Sequence, residues 1–157
     1  MMRAALALAA IAPPAAALDA VEAFAAHCFS PRLTAARAAD VLPARHDFYD
    51  LAPFVHANAI SPPVGRPATP STDRRCEVAF DGAAVAKGEA AVMDALQREG
   101  ITRSAEVPEA FPRTPGTEVI AARYLNPRRI AVVQIGTRPG PNGTETFLNV
   151  ERLEPLE

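Results

Sequence analysis

The chain has 157 residues, with 16 basic and 18 acidic side chains and a formal net charge of −2. This length is typical of a single domain that can bury a hydrophobic core. Because binding to nucleic acid or to an anionic membrane needs clustered positive charge, the near-neutral balance argues against both as partners.

The N-terminal segment has the features of a cleavable export signal. Arg3 supplies a positive start, residues 4–11 form a short apolar run, and Ala15-Ala16-Ala17 provides the small residues that a signal peptidase requires. The run is too short to span a bilayer, which takes about 20 apolar residues. We therefore predict a cleaved signal peptide at residues 1–17 and a mature domain at residues 18–157, in a periplasmic or secreted protein without a membrane anchor.

The sequence contains two cysteines, Cys28 and Cys76. In an oxidising compartment a lone pair normally forms a disulfide, and this spacing is not that of a CxxC redox motif. Two buried free thiols are the alternative, which export disfavours. We predict a Cys28–Cys76 disulfide that joins the first helix to the first strand.

The N-terminal part of the domain is predicted to be helical. Asp19 can cap a helix at about 20–29, and Thr34 can cap a second helix at about 35–42, which Pro43 ends. The helices are followed by a segment without hydrophobic periodicity. Its proline-rich part, at about 53–73, is predicted to be a surface loop.

The C-terminal part is predicted to be a β-α-β-β-β unit. An amphipathic pattern indicates a long helix at about 83–99, and Asn142-Gly143 is typical of a β-hairpin turn. Alternating apolar residues predict four strands, at about 75–80, 117–125, 128–138 and 144–153. The expected fold is therefore a single α+β domain with a mainly antiparallel sheet, on which the long helix packs.

The register of the last hairpin can be predicted from its two faces. When Arg138 lies opposite Glu145, one side of the hairpin carries apolar pairs, and a slip of one residue would mix them with polar residues. That side is predicted to form a common core with the long helix, made by Leu96, Val133, Ile135, Leu148 and Val150.

The other side of the hairpin is mixed in character, because Ile130, Val132 and Phe147 share it with polar residues. A few apolar side chains within a polar rim are typical of a transient interface. One interpretation is that a homodimer or an envelope protein docks on this face. The alternative is that the N-terminal helices, or the loop after them, fold over it.

One group of residues suggests metal chemistry. On a helix, His46 and Asp50 would share a face at i and i+4, and His56 could complete a two-histidine, one-carboxylate site. No metal motif such as HExxH accompanies them. Histidine and aspartate close to prolines are more often solvated loop residues or caps.

Arginines are concentrated in the predicted terminal sheet. They could face an anionic or carboxylate ligand, although such residues are more often solvated charges that discourage edge pairing. These arginines are Arg123, Arg128, Arg129, Arg138 and Arg152.

No nucleotide-binding glycine loop and no GxSxG elbow occur in the sequence, so we expect no cofactor and name no catalytic residue. The expected function is that of a small exported binding or accessory protein without catalytic activity. The alternative is a periplasmic metal-binding protein or hydrolase that uses His46, Asp50 and His56.

Overall fold

The computed structural model describes residues 15–43 and 45–153, with side chains from Asp19 onwards. Within these ranges the helices are α1 (Ala15–His27), α2 (Ala35–Val41) and α3 (Val85–Arg98). The strands are β1 (His46–Asp50), β2 (Thr72–Asp81), β3 (Thr117–Asn126), β4 (Arg129–Gly140) and β5 (Gly143–Leu153). The predicted α+β class is confirmed, and β1 is an additional strand within a segment that the sequence pattern left irregular.

The strands form one antiparallel sheet in the order β1-β2-β5-β4-β3. The predicted hairpin register is confirmed, since Arg138 lies opposite Glu145 and the pairs that follow are those expected. The proline-rich segment meets the end of β1 in an isolated bridge, where Asp50 and Ser61 exchange two backbone hydrogen bonds of 2.9 and 2.8 Å.

Helices α1 and α3 pack on one face of the sheet. All five predicted core residues are buried there in a single cluster. Gly88 allows α3 to approach the sheet closely, because a Cβ at this position would lie 2.7 Å from Ile135 Cδ1 and 2.8 Å from Leu148 Cδ2.

The predicted disulfide is confirmed. Cys28 and Cys76 are bonded, with their Cα atoms 5.5 Å apart, and both are buried. The bond ties the end of α1 to the middle of β2 across a sequence separation of 48 residues. By the chain-entropy model a closed loop of this size stabilises the fold by about 4 kcal/mol.

The helix ends agree with the predictions except at α1. The Thr34 hydroxyl accepts from the Arg37 N–H at 3.2 Å, and Gly100 has a φ of 71° while the Ile101 N–H donates to Leu96 O at 2.8 Å. In contrast, α1 begins at Ala15, so Asp19 lies inside the helix instead of capping it. The preceding alanines have the highest helix propensity, which favours this extension.

The three apolar side chains that suggested a docking surface on the second sheet face are buried. Ile130, Val132 and Phe147 are only 3%, 0% and 6% exposed. Residues 102–116 fold over this face, where Phe111 packs in one cluster with Ile130 and Val132 and where Pro112 and Phe147 line the same pocket. The apolar side chains on this face are therefore covered within the chain, by a loop that follows α3.

Most of the predicted signal peptide, residues 1–14, lies outside the described residues. Among the helices that the structure describes, none is long and apolar enough to cross a membrane.

Candidate functional site

A pocket of about 330 Å³ opens on the helical face, at the end of the sheet next to the disulfide. It is formed by the segments that follow α1, β1 and α3, by the end of β3, and by strands β2, β4 and β5. Its lining residues are Cys28, Phe29, Pro31, Phe54, Arg74, Glu99, Ile101, Leu125, Ala131, Val150 and Arg152. The volume lies at the lower end of the range for small-molecule sites.

Arg74 and Arg152, which line the pocket, belong to a row of charged side chains across three strands. Asp50 of β1 pairs with Arg74 of β2, which in turn pairs with Arg152 of β5. Residues directly opposite in neighbouring strands share a face, so all three point to the helical side of the sheet. Each is at most 6% exposed, which is unusual for charged residues.

Arg152 is well paired. Its Nη2 donates to Asp50 Oδ1 at 2.7 Å and to the carbonyl of Ala52 at 2.6 Å, and its Nε donates to Asp73 Oδ1 at 2.6 Å. Its guanidinium also lies 4.4 Å from the centre of the Phe54 ring. These contacts fix both the arginine and the ring that forms one wall of the pocket.

Arg74 makes fewer hydrogen bonds than Arg152, and its guanidinium lies 5.2 Å from the centre of the Phe48 ring. Its Nη2 donates to the carbonyl of Ser30 at 2.8 Å, while its Nη1 lies 3.5 Å from Asp50 Oδ2. Its Nη1 and Nε make no hydrogen bond to any residue that the structure describes. Burial lowers the pKa of Arg74 to about 10, against the opposing effect of the Asp50 carboxylate.

Asp73 and Arg129 extend the charged group beyond the pocket floor. Asp73 Oδ2 lies 2.9 Å from Arg129 Nε, and Arg129 lies 5.1 Å from the centre of the Phe54 ring. Burial raises the pKa of Asp73, because desolvation outweighs the hydrogen bond and the charges of Arg152 and Arg129. Phe54 therefore contacts two guanidinium groups, those of Arg129 and Arg152.

The walls above this floor are mainly apolar. Phe29, Ile101 and Leu125 are half-buried and pack against the core cluster, so part of each side chain remains available to the pocket. Cys28 places the disulfide in the wall, and the exposed Glu99 stands at the rim. The arrangement suits a small molecule with an apolar body and one polar end.

The predicted metal candidates are not brought together. His46 and Asp50 lie at the two ends of a strand, not on one helical face, and four residues of strand span about 13 Å. Instead, the His46 Nδ1 lies 2.7 Å from the Pro43 carbonyl, Asp50 joins the arginine row, and His56 is exposed. Within the described residues, no group of three or more metal-ligating side chains is present.

The predicted arginines divide between the two faces of the sheet. Arg152 and Arg129 contribute to the pocket region, whereas Arg138 lies on the other face, where it contacts Glu77 at 2.9 Å and Glu145 at 2.6 Å. The Arg123 Nη1 donates to a backbone carbonyl, and Arg128 is exposed beside the β3–β4 turn. Only part of the arginine-rich segment therefore belongs to the candidate site.

Arg74 and Phe54 were not singled out from the sequence. Arg74 has the same parity as Cys76 in the alternating pattern of β2, and extending that strand by one residue would have placed it on the inward face. A charged residue at an inward strand position is the signal that could have revealed the site. Phe54 lies in a loop, where no periodic pattern exists to position it.

Comparisons with protein-family models, with curated proteins and with solved structures gave no match for this chain. The function therefore has to be argued from the geometry of the pocket and its charges.

Proposed function

We propose that this protein is a small exported binding protein of the bacterial periplasm, without catalytic activity, and that it holds a small ligand in the pocket beside the disulfide. The observation that carries this proposal is the pocket itself. It combines apolar walls with two buried arginines, Arg74 and Arg152. A few placed polar groups within an otherwise apolar cavity are typical of ligand-binding sites.

The export part of the proposal rests on two observations. The first seventeen residues have the pattern of a cleavable signal, and the mature domain contains a buried disulfide. Disulfides persist mainly in oxidising compartments such as the periplasm.

Neither alternative suggested by the sequence is favoured by a structural observation. A metal-binding protein or hydrolase would need His46, Asp50 and His56 close together, and β1 separates the first two. Docking of an envelope protein or a second copy on the sheet face lacks the exposed apolar side chains that motivated it.

Binding can be tested by calorimetric titration of the mature protein with hexanoate, hexanamide and 1-hexanol. We expect saturable one-to-one binding of at least one probe. Ile101→Trp should abolish it by filling the pocket from its rim, while Met93→Trp, on an exposed part of α3 outside the pocket lining, should not. Absence of binding by all three probes, or equal binding by both variants, would overturn the proposed function.

Export is tested separately by the intact mass of the protein recovered from a periplasmic fraction. We expect a mass that corresponds to cleavage after Ala17. Recovery of the protein only from the cytoplasm, with residues 1–17 retained, would overturn the proposed location.

A further inference from the structure

A second pocket, of about 240 Å³, lies on the sheet face opposite the pocket beside the disulfide. It is bounded by strands β2, β4 and β5, by the start of β3, and by parts of the proline-rich segment and of the loop at 102–116. Five of its lining side chains are polar or charged and at most 7% exposed: Arg75, Glu77, Gln134, Asn149 and Glu151. Such residues are rarely buried unless their polar atoms have partners.

The arginines around this second pocket are paired with carboxylates of the protein. Arg66, Arg75 and Arg138 each contact two of them. The contacts join Arg66 to Asp47 at 3.1 Å and to Glu77 at 2.7 Å, Arg75 to Asp47 and to Glu151 at 2.9 Å each, and Arg138 to Glu77 at 2.9 Å and to Glu145 at 2.6 Å. An anionic ligand would therefore have to displace a carboxylate that already holds a guanidinium group.

The two oxygens of the Glu151 carboxylate have unequal surroundings. Oε1 accepts from Arg75 Nε at 2.9 Å, from the Thr69 hydroxyl at 2.7 Å and from Asn149 Nδ2 at 3.3 Å. Oε2 is buried and accepts no hydrogen bond from any residue that the structure describes. A buried carboxylate oxygen without a donor is costly, and it is a strong acceptor for a donor that reaches it.

Two further polar atoms of the pocket lining lack partners in the same way. Asn149 Nδ2 donates to Gln134 Oε1 at 3.2 Å and to Glu151, whereas the amide oxygen Oδ1 is buried without a donor among the described residues. The Thr117 hydroxyl is also buried and has no hydrogen-bond partner within the described ranges. The second pocket therefore contains three oxygens that can accept a hydrogen bond, from a carboxylate, an amide and a hydroxyl.

We propose that the second pocket binds a small neutral polyhydroxyl compound, about the size of one sugar ring, whose hydroxyl groups donate to Glu151 Oε2, Asn149 Oδ1 and Thr117 Oγ1. This site is separate from the pocket beside the disulfide and does not depend on the ligand proposed there. Asn149 and Glu151 lie two residues apart on β5, and Thr117 lies on β3, with β4 between the two strands. Because neighbouring strands are about 4.8 Å apart, the acceptors are spread over roughly 10 Å and suit several hydroxyl groups on one ring.

Other ligands fit these acceptors less well. One metal ion cannot contact oxygens on strands that are so far apart. An organic ammonium has enough donors, but it would bring a positive charge next to Arg75, which already shares the Glu151 carboxylate. An apolar ligand would leave all three oxygens without a donor. A hydroxyl group donates without adding charge, and Pro112 and Pro115 in the lining provide apolar surface for the C–H groups of a ring.

The ligand class is tested by NMR titration of the mature protein with myo-inositol, D-glucose and D-galactose, and with cyclohexanol and cyclohexylammonium as rings that carry a single polar group. We expect at least one of the three polyols to bind saturably and about ten-fold or more tightly than cyclohexanol, because several hydrogen bonds add to its affinity. If cyclohexanol or cyclohexylammonium binds as tightly as the best polyol, the inference is wrong. If no polyol binds, ordered water alone satisfies the three oxygens, and the inference is equally wrong.

Substitution of Thr117 provides a second test. Thr117→Val keeps the shape of the side chain and removes a hydroxyl without a partner in the described structure, so stability in urea denaturation should not fall, while polyol affinity should drop about five-fold. Thr102→Val, at an exposed position outside the pocket lining, should change neither quantity. Unchanged polyol affinity in Thr117→Val would overturn the inference. If this variant does not fold, the titrations of the wild type decide the matter alone.

The two pockets are distinguished by Ile101→Trp, which fills the pocket beside the disulfide and lies outside the lining of the second one. Polyol affinity should be the same in this variant as in the wild type. Loss of polyol binding in Ile101→Trp would place the polyol in the pocket beside the disulfide and would overturn the inference, while the proposed function would stand.

Discussion

Asp50 Oδ1 and Arg152 Nη2 form a buried hydrogen-bonded ion pair of 2.7 Å that reaches across the strand between them. Asp50 belongs to β1 and Arg152 to β5, and β2 separates these strands in the sheet. Because Arg74 of β2 lies in the same row, the single carboxylate of Asp50 is shared unequally between two arginines. Arg152 therefore makes the closer contact with Asp50, and Arg74 makes the longer one.

Removal of the Asp50 charge should destabilise the protein strongly. Asp50→Asn keeps the shape of the side chain but leaves Arg74 and Arg152 buried without their shared carboxylate, and breaking a buried pair costs about 3–5 kcal/mol. The loss is measured by urea denaturation at neutral pH. Asp81→Asn is the matched control, because Asp81 pairs with Arg45 at 2.6 Å but is exposed to solvent, and we expect a much smaller change there. Equal losses in the free energy of unfolding for Asp50→Asn and Asp81→Asn would contradict the claim that the buried Asp50 carboxylate stabilises the protein more than an exposed one.

The raised pKa of Asp73 predicts a pH dependence opposite in sign to ordinary acid denaturation. Burial raises the pKa of this carboxyl in the folded state above its unfolded value. The folded state therefore binds a proton more tightly, and the contribution of Asp73 to stability is fully present below the unfolded pKa and is lost as the pH rises through the folded pKa.

The measurement is the difference in unfolding free energy between the wild type and Asp73→Asn, followed from about pH 3 upward across the ordinary range for aspartate. We expect this difference to fall as the pH rises and then to become constant. Asp94→Asn, at an exposed position on α3, should show no such trend. A difference that grows with pH would mean that the charges of Arg152 and Arg129, and not burial, determine the direction of the pKa shift of Asp73.

The disulfide should contribute to both stability and the pocket. Cys28→Ala combined with Cys76→Ala should lower the free energy of unfolding by about 4 kcal/mol, the chain-entropy value for a loop of this length. Since Cys28 lines the pocket beside the disulfide, affinity for the probes that bind there should fall as well. Reductant should lower the melting temperature of the wild type and leave that of the double variant unchanged. An equal response of the two proteins to reductant would show that the bond is not formed in solution.

The parts of the fold that the sequence predicted are those encoded by periodic patterns. The hairpin register follows from alternation on either side of Asn142-Gly143, and the end of α3 follows from Gly100 with Ile101 placed after it. In contrast, β1 has the sequence His-Asp-Phe-Tyr-Asp between prolines. Four of its five residues have ionisable side chains, so its two faces cannot be recognised without knowing that Asp50 meets arginines from other strands.

The candidate site was harder to predict for the same reason. Arg74 and Arg152 occupy inward strand positions at which the alternating pattern leads one to expect apolar residues. Their partners, Asp50 and Asp73, come from distant parts of the chain, and no local spacing connects them. The loop that covers the second sheet face also has no periodicity, so the burial of Phe147 depends on tertiary contacts alone.

The close approach of α3 to the sheet gives a final prediction, at Gly88. Alanine is favoured over glycine in a helix by about 1 kcal/mol, but the new Cβ would overlap Ile135 Cδ1 and Leu148 Cδ2, and overpacking a buried site costs about 1–3 kcal/mol. Both neighbours are fully buried, so moving their terminal methyl groups disturbs the packing of the core, and Gly88→Ala should destabilise the protein in urea denaturation. Ile135→Val removes the overlapping methyl group. Alone it should cost about 0.5–1.5 kcal/mol, but in the Gly88→Ala background it should cost less or restore stability. Ile120 lies on β3, and none of its atoms is among the nearest neighbours of the new Cβ, so Ile120→Val should lower the free energy of unfolding equally in both backgrounds. If Ile135→Val also has the same effect in both backgrounds, the contact between residue 88 and Ile135 is refuted.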